Sequence, residues 1–198
     1  RIKVIEEKKI SNKDSCNQTS IDLPTHFGTH VDFPFHFDNN GLKAEDYKPD
    51  YFFFYEPQIA HIECEIDGQI IINEHHFEMV NFSKSTDFLL IKTGYCNNRY
   101  NEVYHNNYPG ISDSLASYFK KFMPNLRAVG FDMISLSSPL HGALGKKAHI
   151  EFLINHDILV VEDMDMRELK VGDNINQIIV SPLIYQNADG APVTVFFK

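Results

Sequence analysis

The sequence predicts an α/β fold with a mixed, largely β core, a sheet or barrel, and helices packed against it. Three observations predict it. Short apolar runs bounded by turn residues outnumber segments with helical periodicity. Strands and helices alternate in mixed order along the chain. The 198 residues, 43% hydrophobic and 23% charged, suit one globular domain with a sizeable core. No repeat, low-complexity tract or long linker divides them, so a single domain over residues 1–198 is expected.

The elements follow in order. Residues 63–73 read as a hairpin around the favourable turn pair Asp67-Gly68. Residues 88–92 form a short buried strand that stops at Thr93-Gly94. Pro109-Gly110 leads to Ser112 or Asp113 as the N-cap of a helix ending near Phe122. Residues 127–131 are another strand. Residues 143–156 read as a helix, because His149, Phe152, Leu153 and His156 recur at i, i+3, i+4 and i+7 and share a face. Residues 158–161 form a buried strand that ends in Glu162-Asp163. Residues 177–185 and 193–197 are the closing strands, separated by a turn at Asp189-Gly190. The aromatic run from Tyr51 to Tyr55 reads as a core strand, with a substrate-pocket wall as the alternative.

Charge narrows the function classes. A net charge of −9 repels phosphate backbones and anionic lipid, so neither nucleic acid nor membrane is an expected partner. No apolar run is long enough to span a bilayer, and no secretory signal is visible. The first residue is Arg1 rather than Met, so a short preceding piece is expected. Cys16, Cys64 and Cys96 are scattered and odd in number, with no C-x-x-C pair. They read as free thiols in a reducing cytoplasm.

The chemistry concentrates in residues 26–37. Even positions run His26, Gly28, His30, Asp32, Pro34, His36; odd positions run Phe27, Thr29, Val31, Phe33, Phe35, Phe37. In an extended chain one face would be greasy and the other would carry three imidazoles and a carboxylate. A straight strand would hold His26 and His30 roughly 13 Å apart, too far for two metal bonds of about 2 Å. The segment must therefore curl. Gly28 permits a tight bend, and Pro34 ends sheet pairing. A helix would also bring i and i+4 together, but Gly28, the β-branched Thr29 and Val31, and Pro34 oppose it. Neutral imidazole and carboxylate suit Zn²⁺ or Mn²⁺, and Asp32 has two oxygens with which to bridge two ions. The bland alternative is a strand with solvent-facing histidines. Three His and one Asp on one face, punctuated by Gly and Pro, are much harder to obtain by chance.

His-x-Gly-Thr-His-x-Asp-x-Pro-x-His-Phe resembles the signature of the metal-dependent cyclase/amidohydrolase family, of kynurenine formamidase and isatin hydrolase type, at every fixed position from His26 to Phe37. Weaker likenesses follow in family order: residues 89–95, Pro109-Gly110-Ile111, Val129-Gly130-Phe131-Asp132, His149, Glu162, Ser181-Pro182-Leu183 and Asp189-Gly190-Ala191-Pro192. The resemblance implies the family's swivelling β/β/α-like fold. It implies a first metal held by His26, His30 and Asp32, a second held by Asp32, His149 and Glu162, and His36 as the proton-transfer residue. It also implies one or two Zn or Mn ions per chain and a dimer or tetramer whose N-terminal segments help close the pocket. Four departures stand out. An N-terminal Asp-Leu-Ser/Thr segment with Pro-Gly is absent from these residues or lies outside this chain. Ser137 replaces an acidic residue, and Thr194 replaces an arginine. The stretch from His149 to Glu162 is one residue longer. The first three bear on substrate and the last on the second metal.

Taken alone, His149 on an apolar helix face is more often a core histidine than a ligand, and Glu162 could simply open a turn. Geometry improves the pair. The helix runs on by about 10 Å past His149, and the strand returns by roughly 16 Å. Antiparallel packing would bring the two level. Glu151, His156 and Asp163 are the fallback ligands. His75-His76 and His105 read as surface, His61 as strand, and His141 as a loop bordering the site.

The expected chemistry is hydrolysis of a small amide, an aryl formamide or cyclic amide, by metal-activated water, with His36 serving the leaving nitrogen. The rivals are ring closure or dehydration at the same metal, and a non-catalytic metal- or ligand-binding protein. Altered Ser137 and Thr194 favour a binder; intact His36 disfavours it. Neither a P-loop nor a dinucleotide fingerprint is present.

Overall fold

The structure is a computed structural model that describes residues 2–62, 69–170 and 172–198. Twelve strands and three α-helices are defined among them: β1 (Lys3–Lys8), β2 (Gln18–Asp22), β3 (His30–Asp32), β4 (Phe53–Phe54), β5 (Pro57–His61), β6 (Ile71–Ile72), β7 (Phe88–Lys92), α1 (Val103–Asn106), β8 (Gly110–Ile111), α2 (Ser114–Phe122), β9 (Ala128–Phe131), α3 (Gly142–Ile150), β10 (Leu159–Glu162), β11 (Ile178–Pro182) and β12 (Gly190–Phe197). The mixed α/β architecture with a dominant β core is the expected one.

Eight strands form the main sheet in the order β4-β11-β12-β3-β10-β9-β7-β5. The end strands β4 and β5 are neighbours in sequence, joined only through Tyr55 and Glu56. So short a link spans about 11 Å at most, so the sheet must curl until its edges nearly meet. Asp87 clamps this seam, its two carboxylate oxygens accepting from Tyr55 N at 2.9 Å and Glu56 N at 3.0 Å.

Strands β5, β7, β9 and β10 are parallel. Parallel strands covered on both faces need continuous apolar runs. Phe88, Leu89, Leu90 and Ile91 supply one, and Val129, Phe131, Val160 and Val161 continue it, all at most 1% exposed. The crossovers supply α2 and α3. Antiparallel β3 sits in the sheet interior, paired to β10 on one side and β12 on the other. The ribbon of β1 and β2 stands apart from the core, with every β1 residue exposed. No helix among the described residues is long and apolar enough to cross a membrane.

Several expectations shift in detail. The turn Asp67-Gly68 of the expected hairpin lies outside the described residues. The far end of that segment, β6, pairs in parallel with β8. The aromatic run is not one strand: a 3-10 turn (Pro49–Phe52) precedes β4, burying Phe52 and Phe54 and leaving Tyr55 exposed. The last strand starts at Gly190, earlier than expected, because Gly190, Ala191 and Pro192 pair with β3. The helix expected over 143–156 is α-helical only as α3 and continues as a π-helical turn (Glu151–Asn155). A π turn takes up one more residue than an α turn. The turn lies between His149 and Glu162.

Candidate functional site

The segment that the sequence singled out does curl. Gly28 takes φ +66°, a conformation costly for other residues, and turns the chain between His26 and His30. Extended pairing resumes only as β3. Pro34 then opens a 3-10 turn (Pro34–His36) that carries His36 back over the sheet.

Register does the rest. His30 and Asp32 are two apart on β3 and share a face. Glu162 pairs with His30 across β10, and Gly190 pairs with Asp32 across β12. His149 is supplied by α3. His30, Asp32, His149 and Glu162 are each less than 5% exposed.

The four groups meet without mutual hydrogen bonds. His30 Nε2 lies 3.4 Å from both Asp32 Oδ1 and Glu162 Oε2. His149 Nε2 lies 3.4 Å from Asp32 Oδ2 and 3.5 Å from Glu162 Oε1. His30 Nε2 and Asp32 Oδ2 are buried with no hydrogen-bond partner, a costly arrangement for a finished polar network. For donors about 2.1 Å from one tetrahedral ion, the separation between donors is about 3.4 Å. The spacing therefore fits a cation-binding cradle. Two trios can each hold an ion, His26–His30–Asp32 and Asp32–His149–Glu162, with donor atoms within 4.8 Å of one another.

Outer contacts set the ring faces. His30 Nδ1 donates to Gly28 O, and His149 Nδ1 donates to Gly145 O, both at 2.8 Å. Each Nε2 is thus aimed at the cradle, where it would offer its lone pair to a bound cation once its proton has left. Glu162 Oε1 accepts from Leu136 N at 2.7 Å and Ser135 Oγ at 3.1 Å. His26 Nδ1 is 2.8 Å from Asp32 Oδ1, and its Nε2 is 3.1 Å from Asp189 Oδ2.

Charge follows this packing. Burial alone would lower the His30 and His149 pKa values, but the adjacent Asp32 and Glu162 carboxylates outweigh it and raise them to about 11 and about 10. Burial would raise Asp32 and Glu162, yet the surrounding imidazoles hold both below the usual carboxylate range. His36 shifts the other way: burial and the neighbouring His26 push it down. It stacks on His26 with ring centroids 4.0 Å apart.

A cavity of about 400 Å³ opens over the cradle. Phe37 and Ile134 are its apolar wall, and Ser135, Ser137, Gly142 and Lys146 its polar rim. A second cavity of about 370 Å³ adjoins it through His26, His30 and Ile134, and includes Arg99, Tyr104 and His105. Of the two substitutions among the departures expected to bear on substrate, Ser137 lines the first cavity. Thr194 does not; it borders a separate cleft with Thr29 and Met164.

None of the fallback ligands joins either trio, although Asp163 lines the second cavity with His26 and His30. His156 Nδ1 donates to Glu151 O, and Asp163 engages Arg99 and Tyr104. His141 precedes α3 and is absent from the first cavity's lining, although Gly142 is present. Cys16 and Cys96 are free thiols, as expected. Sequence reasoning gave no site role to Asp189, read as a turn and as part of a family-like run, nor to Ser135. The one available signal for Asp189 was its position in the Asp-Gly-Ala-Pro run; nothing local marks Ser135.

The model of the Cyclase family ("Putative cyclase") matches residues 3–138. A kynurenine formamidase of Geobacillus thermodenitrificans is 32% identical over 179 residues, covering 90% of this chain and 78% of that protein. Among solved structures, isatin hydrolase A from Labrenzia aggregata, bound to benzyl benzoate, superposes with TM-score 0.79 at 16% identity, over 98% of this chain and 82% of that one. A Bacillus stearothermophilus protein described as a predicted metal-dependent hydrolase gives TM-score 0.70 at 18% identity, over 100% and 86%. At such identities the two structural likenesses concern the fold.

Proposed function

This chain belongs to the Cyclase family, and from that premise we propose that it is a metal-dependent hydrolase of small aryl formamides or cyclic amides. The carrying observation is the pair of His–carboxylate trios that share Asp32 beneath a cavity of about 400 Å³, with His36 near its wall. His26, His30 and Asp32 would hold one ion, and Asp32, His149 and Glu162 a second. Imidazole and carboxylate donors suit zinc or manganese. We assign this work to a single domain, residues 1–198.

A divalent ion held by these residues would supply a water of lowered pKa and an electrophile for a carbonyl oxygen. The chain's own groups do the remainder. His30 and His149 present Nε2 lone pairs fixed by Gly28 O and Gly145 O. Phe37 and Ile134 give an aryl ring an apolar surface and exclude water from one side. His36 takes a proton at Nε2 from the attacking water and returns it to the leaving nitrogen, which would otherwise depart as a very poor amine anion. Its lowered pKa keeps the resting ring neutral and able to accept that proton.

A homodimer is also proposed. The ribbon of β1 and β2 exposes Val4, Ile5 and Ile21 by 65%, 47% and 64%, and an isolated two-stranded ribbon is marginal in water. A partner's surface would cover it. Light scattering at micromolar concentration reads this, and a monomer would count against it.

The functional reading is tested with protein stripped by a chelator and reloaded with zinc or manganese. Turnover of an N-formyl aryl amide or a cyclic imide should vanish on stripping and return on reloading. Full turnover without metal, or none on any amide with metal-saturated protein, would overturn it.

A further inference from the structure

Asp189 stands between the two imidazoles that the proposed chemistry treats separately. Its Oδ2 lies 3.1 Å from His26 Nε2 and 3.2 Å from His36 Nδ1. Its Oδ1 accepts from Thr25 Oγ1 at 3.2 Å. The backbone is equally fixed. Asp189 O accepts from Phe33 N at 3.0 Å, and the next residue, Gly190, is in register with Asp32. Thus the same two-residue step that places Asp189 also seats it against β3.

We propose that Asp189 is a positioning residue that acts on His26 and His36 together. A carboxylate can only accept, so the His36 Nδ1 facing it carries the hydrogen. His36 Nε2 is then left with its lone pair for the proton transfer. During turnover an O–H bond of water breaks as the Nε2–H bond forms, and that proton later passes to the leaving nitrogen. The Nδ1 proton stays in place and Asp189 remains ionised. The same Oδ2 takes the His26 Nε2–H, which turns His26 Nδ1 toward Asp32. Orientation of a ligand ring and the tautomer of the proton carrier therefore depend on one oxygen. Such outer carboxylates usually change metal affinity or activity by about 10- to 100-fold when removed.

The trio His26–His36–Asp189 also has metal-site spacing. An ion there alongside one in the His26–His30–Asp32 trio would require His26 to bind through both ring nitrogens, leaving an imidazolate. These three side chains are 24%, 30% and 35% exposed, unlike the buried cradle. The hydrogen-bonded reading needs no such cost.

This inference rests on His36 as the proton carrier and His26 as a metal ligand. Its test uses the full zinc-loaded chain and the variants Asp189→Ala and Asp189→Asn. With ¹⁵N-labelled histidine, the His36 ring, assigned by its absence in His36→Ala, should show Nδ1–H in the parent and shift toward Nε2–H in Asp189→Ala. This readout stands whether or not an amide is the substrate. With an N-formyl aryl amide at saturating zinc, kcat of Asp189→Ala should fall about 10- to 100-fold with KM little changed, and a zinc titration should show weaker binding than the parent, as expected if His26 loses its orienting carboxylate. Asp189→Asn should recover part of the loss, since its amide oxygen still accepts. In the His36→Ala background, at zinc concentrations that saturate both variants so that the His26 contribution is removed, the same substitution should cost less than about threefold in kcat, as expected for coupled residues. An unchanged tautomer, or equal losses in both backgrounds, would overturn the proposal. So would an extra bound zinc that disappears in Asp189→Ala. A parent with no amide turnover at all would instead count against the proposed hydrolase.

Discussion

Glu162 faces His30 directly across the β10–β3 pair, with Oε2 3.4 Å from Nε2. The contact joins the two trios at a point other than Asp32. It also puts a buried acid and a buried base within reach of one cation without hydrogen-bonding to each other.

Glu162→Ala should therefore separate the ions. Elemental analysis of metal-saturated protein should approach two ions per chain for the parent and one for the variant. A parent value of one, unchanged in Glu162→Ala, would leave only the trio at His26.

His36→Ala should leave metal content nearly intact while lowering kcat by roughly 10²–10⁴, the usual scale for a lost general acid or base. Lost metal would make His36 a ligand; undiminished kcat would make it a passive wall.

Metal binding should expel protons. Without metal, His30 and His149, at about 11 and about 10, hold protons at neutral pH. A cation needs those lone pairs, so affinity should rise with pH. The sign for the metal-free fold is opposite. Raised pKa values stabilise fully below the unfolded value near 6.5, and that contribution fades as pH climbs through about 10 to 11. Calorimetric zinc titrations in buffers of different ionisation heat should count close to two protons released at pH 7. A count of zero would contradict the charge state described here.

Gly190→Ala should damage the first trio. An added Cβ would stand 2.4 Å from His26 Cε1, and that ring is held by Asp32 and Asp189 with little room to yield. The expected cost is about 1–3 kcal/mol of stability from overpacking, together with weaker zinc binding. Thermal melts and zinc titration read both. A variant matching the parent in each would show the ring free to move.

The part of the site legible in the sequence is the part written locally. Alternation from His26 to Phe37, broken by Gly28 and Pro34, states both a polar face and the need to bend, and the structure bends there. Buried strands such as β7, β9 and β10 announce themselves by apolar runs. Strand order is not local information. Nothing near Asp32 says that Gly190 will lie beside it, and nothing near His36 indicates a carboxylate 153 residues away. The π turn after α3 escaped for a related reason: its residues have ordinary helical periodicity, and only the need to bring His149 level with Glu162 reveals the extra one.

The central placement of β3 has a consequence in time. His26, His30 and Asp32 leave the ribosome early, while the strands that flank β3 come from the last quarter of the chain. Pairings of such long sequence separation form slowly, since loop closure precedes any reward. A nascent chain consequently carries metal-seeking side chains well before it owns a cradle. Under the proposed function, tight loading would belong to the completed protein, and an ion captured earlier would be exchangeable until β12 docks.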